Sequence, residues 1–501
     1  MTEAARLTIK SIGTNFFSFA FYIFFGILYM ALLYKYAPTN IVSEYFLLIS
    51  MIMIAGLVLS SVITYSCNYQ LPEIYAKSRK EGAMLMFLSM LLSGIAAAIV
   101  FAIILALNLF SITMADSVTL ILYALVYTAS GGTQGFLTNL LWIKEKLVIM
   151  SIFPIFRLAV IAALVFLHGT LSGSDVMLFL WSLAAYNVLV GIFIFWKTGL
   201  DFSCVHAGMK HLKSGLPNGL WFYVDSLGGT LLNSIDNFML GAFNMKNQIA
   251  GYNAALGPSK YVQVAIPGNL GSAIFPVLRS GKFKESNAAI AESGIKWAIL
   301  LFYPITIAAF LFPENIIAVL SPGYTEWALF ARIFILGFFL TPISATIRQI
   351  MISMGRARVV ALTTLSASMI TIALNLLLFF GFHMGALGIA ISLAVSNFTC
   401  DFVIILISRI LPLRRIAMDI LRLIALPTLL MVPIMLYVGG FLDLPIQISI
   451  LKSLIEFGII TGISYLVALP FIWFSITAGE KELAMSMLGP LLSKARDIVQ
   501  L

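Results

Sequence analysis

The stretch IGTNFFSFAFYIFFGILYMALLY (Ile12–Tyr34) has no charged residue between Lys10 and Lys35. A helix rises about 1.5 Å per residue, so about 20 apolar residues cross a hydrocarbon core about 30 Å thick. This run is too long for the core of a signal peptide, and no A-x-A site follows it. It reads as the first of many membrane helices. Similar apolar runs recur along the whole chain, with approximate centres at Ile54, Ala97, Val126, Leu158 and Asn187. In the second half they fall at Gly228, Lys260, Tyr303, Phe338, Ser368, Val395, Leu430 and Ser464. The expected fold class is an all-α polytopic membrane protein of about 14 transmembrane helices.

Composition agrees. Of the 501 residues 61% are hydrophobic and only 10% charged, against about 25% charged in a soluble domain. A soluble surface cannot be covered with so few charges. The net charge of +9 points to membrane topology and not to nucleic acid, because the basic residues sit in short loops between apolar spans. One side of the membrane carries Arg6, Lys10, Lys77, Arg79, Lys80, Lys144, Lys146 and Lys197. Arg279, Lys282, Arg356, Arg358, Arg414 and Arg415 lie on that side too, whereas Lys35, Lys246 and Lys452 lie on the other. The positive-inside rule places both termini in the cytoplasm. The segments Leu216–Phe243 and Gln248–Val277 are weak by hydropathy, but the alternation fails without them. Cys67, Cys204 and Cys400 are scattered and suggest neither disulfides nor zinc.

The first six spans and the next six read as copies. TNIVSEYFLL (Thr39–Leu48) matches KNQIAGYNAAL (Lys246–Leu256), with Tyr45 opposite Tyr252. IKEKLVIMSIFPIFRLAVIAALVFL (Ile143–Leu167) matches MGRARVVALTTLSASMITIALNLLL (Met354–Leu378). Both matches fall at nearly one offset, a little over two hundred residues. An even number of spans inserts both copies the same way up, and parallel repeats of this kind enclose a substrate path. The organisation expected is a six-helix lobe over 1–197, a cytoplasmic linker over 198–214 and a second lobe over 215–410. Two further helices follow over 411–478, then an amphipathic interfacial tail over 479–501.

Charges inside a membrane cost about 2.5–3.5 kcal/mol each on insertion scales, and persist only if paired or wet. Arg157 lies mid-span in the fifth helix, Asp225 and Asp236 in the seventh, Lys260 in the eighth, Arg332 in the tenth and Asp401 in the twelfth. At about 100° per residue, Asn218, Asp225, Gly229 and Asp236 share one narrow face. Asn253, Lys260, Pro267 and Gly271 lie close to one face of the eighth span, where Pro258 and Pro267 argue against a straight helix. A broken, polar helix pair is the strongest pointer to a transport site. The plainer alternative is structural: Asp225 or Asp236 pairs with Lys260 or Arg157 and holds the lobes together. Asp401 and Glu456 favour such a structural role.

No phosphate-binding G-x-x-x-x-G-K-[ST] loop, H-E-x-x-H or G-x-S-x-G motif occurs, and the loops on the outer side are short. A transporter is expected, not an enzyme, with no cofactor.

Three stretches carry a family resemblance. SIDNFMLGAFNMKNQIAGYNAAL (Ser234–Leu256) presents Asp236, Leu240, Gly241, Gly251, Tyr252 and Ala255. FPVLRSGKFKE (Phe275–Glu285) is a basic loop, and ITIALNLLLFFGFHMGALGIAISLAVSN (Ile370–Asn397) presents Asn375, Gly385 and Gly388. In their order they resemble the polysaccharide-transporter branch of the multidrug/oligosaccharidyl-lipid/polysaccharide exporter superfamily. That branch includes flippases for O-antigen units. The resemblance implies two lobes around a cationic cavity and a polyprenyl-pyrophosphate-linked oligosaccharide as substrate. Membrane lipids, and polysaccharide-assembly proteins as partners, go with it. Arg157, Lys260 and Arg332 would meet the pyrophosphate. Asp225 and Asp236, with Asn218 and Asn253 on the same polar faces, would serve proton or sodium coupling, although membrane potential alone can drive an anion outward. The first span offers only Asn15 as a strongly polar group, whereas lipid II flippases carry charges there, so the sugar-unit branch fits better. An exporter of small cations from the same superfamily, or a membrane enzyme of polysaccharide assembly, are the alternatives.

Overall fold

The computed structural model describes residues 24–58, 60–107, 112–133, 143–260, 302–320, 322–408, 426–441 and 449–475, with a few isolated positions besides. Among them the regular structure is entirely helical. In the first half the helices are α1 (Phe24–Tyr36), α2 (Thr39–Val58), α3 (Ser60–Lys77), α4 (Arg79–Ala106), α5 (Ser117–Gly131), α6 (Ile143–His168) and α7 (Gly173–Thr198). The second half has α8 (Val205–Ala242), α9 (Ile249–Lys260), α10 (Phe302–Leu311), α11 (Pro313–Leu320), α12 (Ala328–Gly337), α13 (Thr341–Ser353), α14 (Ala357–Leu376) and α15 (Gly385–Ser408). Helices α16 (Leu426–Phe441) and α17 (Ser449–Ser475) follow. Whole or in part, a helix stands at every position where the sequence predicts a span. Among the described residues seven helical segments are long and apolar enough to cross a membrane unaided, and α10 and α11 form an apolar pair bent by 93°. The protein is a multi-pass membrane protein. Phe166 and Trp196 are 89% and 79% exposed, as a lipid surround allows. The basic loop Phe275–Glu285, the second part of the eighth span and the tail from Gly479 lie outside the described residues.

Local chemistry sets the ends. Ser78 caps α4 by accepting from the Glu81 N–H, and Asp116 caps α5 by accepting from the Thr119 N–H. Ser172 and Asp175 form a reciprocal capping box on α7, and Gly199 closes that helix at φ +75°. Each cap satisfies backbone groups that have no partner within the helix. Helix α8 runs for 38 residues, longer than a bilayer core, so its first turns extend beyond it. Its weak hydropathy reflects packing against protein. Gly228 lies so close to α14 that a Cβ there would stand 2.6 Å from the Leu365 nitrogen. Such approaches matter in lipid, where helices associate by packing and hydrogen bonds.

The chain turns at two ends. A basic end carries Lys77, Lys80, Lys144, Lys197, Arg356 and Arg358; the opposite end carries the turns at Ala37, Thr113, Gly169, Lys246 and His383. At the opposite end one buried cluster joins both halves, with Tyr34, Tyr45 and Leu48 packed alongside Leu240, Tyr252 and Ile389. Toward the basic end the described residues form two separate cores. One holds Leu71, Leu85 and Phe136 with Leu212 of α8; the other holds Ile299, Ile347, Val360 and Ile404. A fourth cluster packs α16 and α17 against α10 through Ala308, Met435 and Ile460. The connecting segment docks on the first half: Lys80 donates to Asp201 at 2.9 Å, and His211 Nε2 stands 2.8 Å from Glu81.

Candidate functional site: a cavity between the two halves

A cavity of about 570 Å³ lies between the halves. Its first-half wall comes from α1, α2, α5, α6 and α7, and its second-half wall from α9 and α11, with Phe457 of α17 beside them. Arg157 and Lys260 both line it, each from a different half, together with Asn187 and Asn253. Among the described residues that line it there is no Asp or Glu. Arg157 is 8% exposed. Its guanidinium stacks over the Tyr29 ring at 3.9 Å and lies 5.5 Å from the Phe153 ring.

Asn253 is held by exchange with Asn237. Its Nδ2 donates to Asn237 Oδ1 at 2.7 Å, and Asn237 Nδ2 donates to Ser50 Oγ at 3.0 Å. Three helices, α2, α8 and α9, thereby meet at one amide pair.

The other predicted site residues lie elsewhere. Asp236 is buried beneath Tyr252, whose hydroxyl donates to Asp236 Oδ2 at 2.6 Å; Asp236 Oδ1 has no hydrogen-bond partner among the described residues. Asp225 accepts from the Thr364 hydroxyl at 2.8 Å. That hydroxyl also meets Arg348 Nη1 at 2.8 Å, and Asp401 stands 3.4 Å from Arg348 while accepting from Thr341 and Ser344 at 2.6 Å each. Asp225 therefore belongs to a closed polar cluster inside the second half. Arg332 donates to Glu314 at 3.0 Å and toward the Phe310 carbonyl, bracing the bend between α10 and α11. It is not among the cavity's lining residues. The side chain of Asn218 lies outside the described set.

Sequence reasoning passed over the tyrosines. Tyr29, Tyr45, Tyr123 and Tyr127 line the cavity from three different helices, and no single helical period links them. Sequence reasoning also places Arg348 near a cytoplasmic span end, its charge reaching for the surface; the structure corrects this, because the guanidinium turns inward to Thr364 of α14 and to Cys400 and Asp401 of α15.

At the opposite end from the basic loops, the halves meet in a polar seam. Glu44, 1% exposed, accepts from Lys246 at 2.5 Å, from the Thr113 hydroxyl at 2.8 Å and from the backbone N–H of Thr113 and Met114. The Tyr34 hydroxyl donates to the Ala250 carbonyl at 3.1 Å.

Comparison with known proteins agrees with this arrangement. Residues 73–282 match the family model described as polysaccharide biosynthesis protein. The fold is similar to that of the lipid II flippase MurJ in an inward closed conformation, at 16% identity and a TM-score of 0.64, over 97% of this chain and 100% of that one. It is also similar to a multidrug resistance MATE family transporter of the MOP superfamily in an inward-facing conformation, at 15% identity and a TM-score of 0.59, over 79% of this chain and 94% of that one. A MOP superfamily transporter from Pyrococcus furiosus, described for the reverse polarity of its binding pocket, matches at 13% identity and a TM-score of 0.52, over 82% of this chain and 98% of that one. No curated protein matches the sequence significantly. The match over 73–282 and the shared fold bear out the resemblance read from the sequence. The solved structures it resembles are described as transporters and a flippase.

Proposed function

We propose that this protein is a flippase that carries a polyprenyl-pyrophosphate-linked oligosaccharide across the cytoplasmic membrane by alternating access. The observation that carries this reading is the charge of the cavity lining: Arg157 and Lys260 line it from different halves, and among the described lining residues there is no Asp or Glu, while Asp236 lies behind the wall within electrostatic reach of Lys260. A pyrophosphate is the complementary ligand, and a sugar headgroup needs such a polar path because hydrocarbon cannot replace its hydrogen bonds to water. A cation exporter calls for the reverse polarity. The two lobes are the halves on either side of the 198–214 linker.

The basic end faces the cytoplasm by the positive-inside rule. The shared core and the Glu44–Lys246 seam then close the outer side. Opening outward requires the seam to part. An inside-negative potential favours outward movement of an anion by about 2.3 kcal/mol per charge per 100 mV, so potential supplies direction. Asp236 is the candidate for coupling to protons or sodium, because it is a buried carboxyl within electrostatic reach of Lys260 and held on one oxygen by the Tyr252 hydroxyl. Asp225, engaged with Thr364, is the weaker candidate.

The test is translocation in proteoliposomes. A fluorescent polyprenyl-pyrophosphate sugar crosses faster than in empty liposomes on this account. No transport of that lipid, with uptake of a cationic dye instead, overturns it.

A further inference from the structure

Both halves line the cavity with aliphatic side chains, but all four of its described tyrosines come from the first half. The first half supplies an aromatic surface of Tyr29, Tyr45, Tyr123, Tyr127 and Phe153 around Arg157. The second half supplies small and aliphatic groups beside Lys260, among them Gly257, Pro258 and Ile316. Tyr123 has no exposed surface, yet it lines the cavity, and its hydroxyl has no hydrogen-bond partner among the described residues. Buried tyrosine hydroxyls are ordinarily partnered. The ring is fixed by edge-on packing against Trp181 and by Tyr127, each at 5.5 Å.

We propose that this aromatic wall is a glycan subsite. Resting on the flippase reading above, it takes the sugar ring joined to the pyrophosphate. A pyranose has one face of weakly polarised C–H groups and a rim of hydroxyls. The face lies against Tyr127 and Tyr45, and a rim hydroxyl accepts from the Tyr123 Oη. Arg157 and Lys260 hold the phosphates alongside. A lipid tail has no group to satisfy the Tyr123 hydroxyl, and the aliphatic residues Ile316 and Val319 give it a better surface. Aromatic cages also hold quaternary ammonium ions, but here the guanidinium of Arg157 already covers the Tyr29 ring and repels a second cation.

Binding to the full-length protein in nanodiscs tests this, with three probes: polyprenyl diphosphate, the same lipid carrying one hexose, and tetraphenylphosphonium. The hexose-bearing lipid binds wild type about tenfold more tightly than the bare lipid, as one added hydrogen bond with stacking provides. Tyr123→Phe and Tyr127→Leu each reduce that ratio and leave bare-lipid affinity unchanged. Tyr123→Phe removes only a hydroxyl that lacks a partner, so it keeps the fold and raises the unliganded melting temperature. Equal affinity of wild type for the two lipids overturns the subsite, as does a ratio that survives both substitutions. Failure of wild type to bind either lipid, with tetraphenylphosphonium bound, overturns the flippase reading and the subsite with it.

Discussion

The Ala250 N–H donates to the Ser43 hydroxyl at 3.3 Å, across 207 residues of sequence. The same offset separates Tyr45 from Tyr252 in the repeat read from the sequence, which puts Ser43 and Ala250 at equivalent places in its two proposed copies. Two points exchanged by a two-fold rotation touch only near its axis. This contact therefore marks the pseudo-two-fold axis at the end of the molecule away from the basic loops. Ser43→Cys with Ala250→Cys, joined by a short cross-linker, is expected to stop transport and to keep substrate binding from the basic side. A reducible linker restores the rate on cleavage. Undiminished transport by the cross-linked protein refutes this seam as the outer gate.

Beside that axis the two copies differ. Glu44 takes Lys246 on one side; its counterpart Gly251 takes the Trp327 indole, which occupies the place a Cβ would need. Gly251→Ala is expected to destabilise the protein by about 1–3 kcal/mol through overpacking. Trp327→Leu in the same molecule recovers part of the loss. Thermal unfolding in detergent checks both variants.

The Arg348–Asp401 pair is structural in this account. Asp401 is 4% exposed and its oxygens are shared among Arg348, Thr341 and Ser344. Removing either member alone leaves the other buried and uncompensated, at a cost of about 3–5 kcal/mol. Arg348→Met combined with Asp401→Leu loses less than the sum, by more than about 1 kcal/mol. Folded yield and melting temperature of the three variants measure the coupling.

The linker is held by an exposed pair. Hydrogen bonds from Lys80 and Ser203 bring the Asp201 carboxyl down to about 2, and Asp201 in turn raises Lys80. The Asp201 contribution is complete above its unfolded value of about 3.9 and fades as pH falls through the folded one. That of Lys80 is complete below about 10.4 and is lost as pH rises through its raised value. A fluorophore on Cys204, the one cysteine not buried, is expected to report release of this pair only at the acid and alkaline extremes. Asp201→Asn, or high salt, alters the signal at neutral pH.

Much of this was legible in the sequence. Apolar runs located the membrane helices that the structure describes, because lipid acts on composition alone. The polar faces of the seventh and eighth spans led to Lys260 and Asn253, which line the cavity, and to Asp236, which lies behind Tyr252. Arg332 was harder. Pro313 opens a helix bent by 93° from the one before it, and that bend brings Glu314 back to Arg332. No linear pattern announces such a fold-back. The tyrosine wall was illegible for a related reason: its members come from α1, α2 and α5 and converge only once those helices pack.

The most direct test compares flipping of a fluorescent polyprenyl-pyrophosphate sugar by wild type, Arg157→Gln, Lys260→Gln and Arg332→Gln at matched amounts of folded protein. A hydrogen bond to a charged group contributes about 1.5–3 kcal/mol, which is roughly tenfold to a hundredfold. The account predicts losses of that size for Arg157→Gln and Lys260→Gln, and a rate close to wild type for Arg332→Gln. Wild-type rates for both cavity variants, or a loss confined to Arg332→Gln, contradict the claim that an anionic headgroup passes between Arg157 and Lys260.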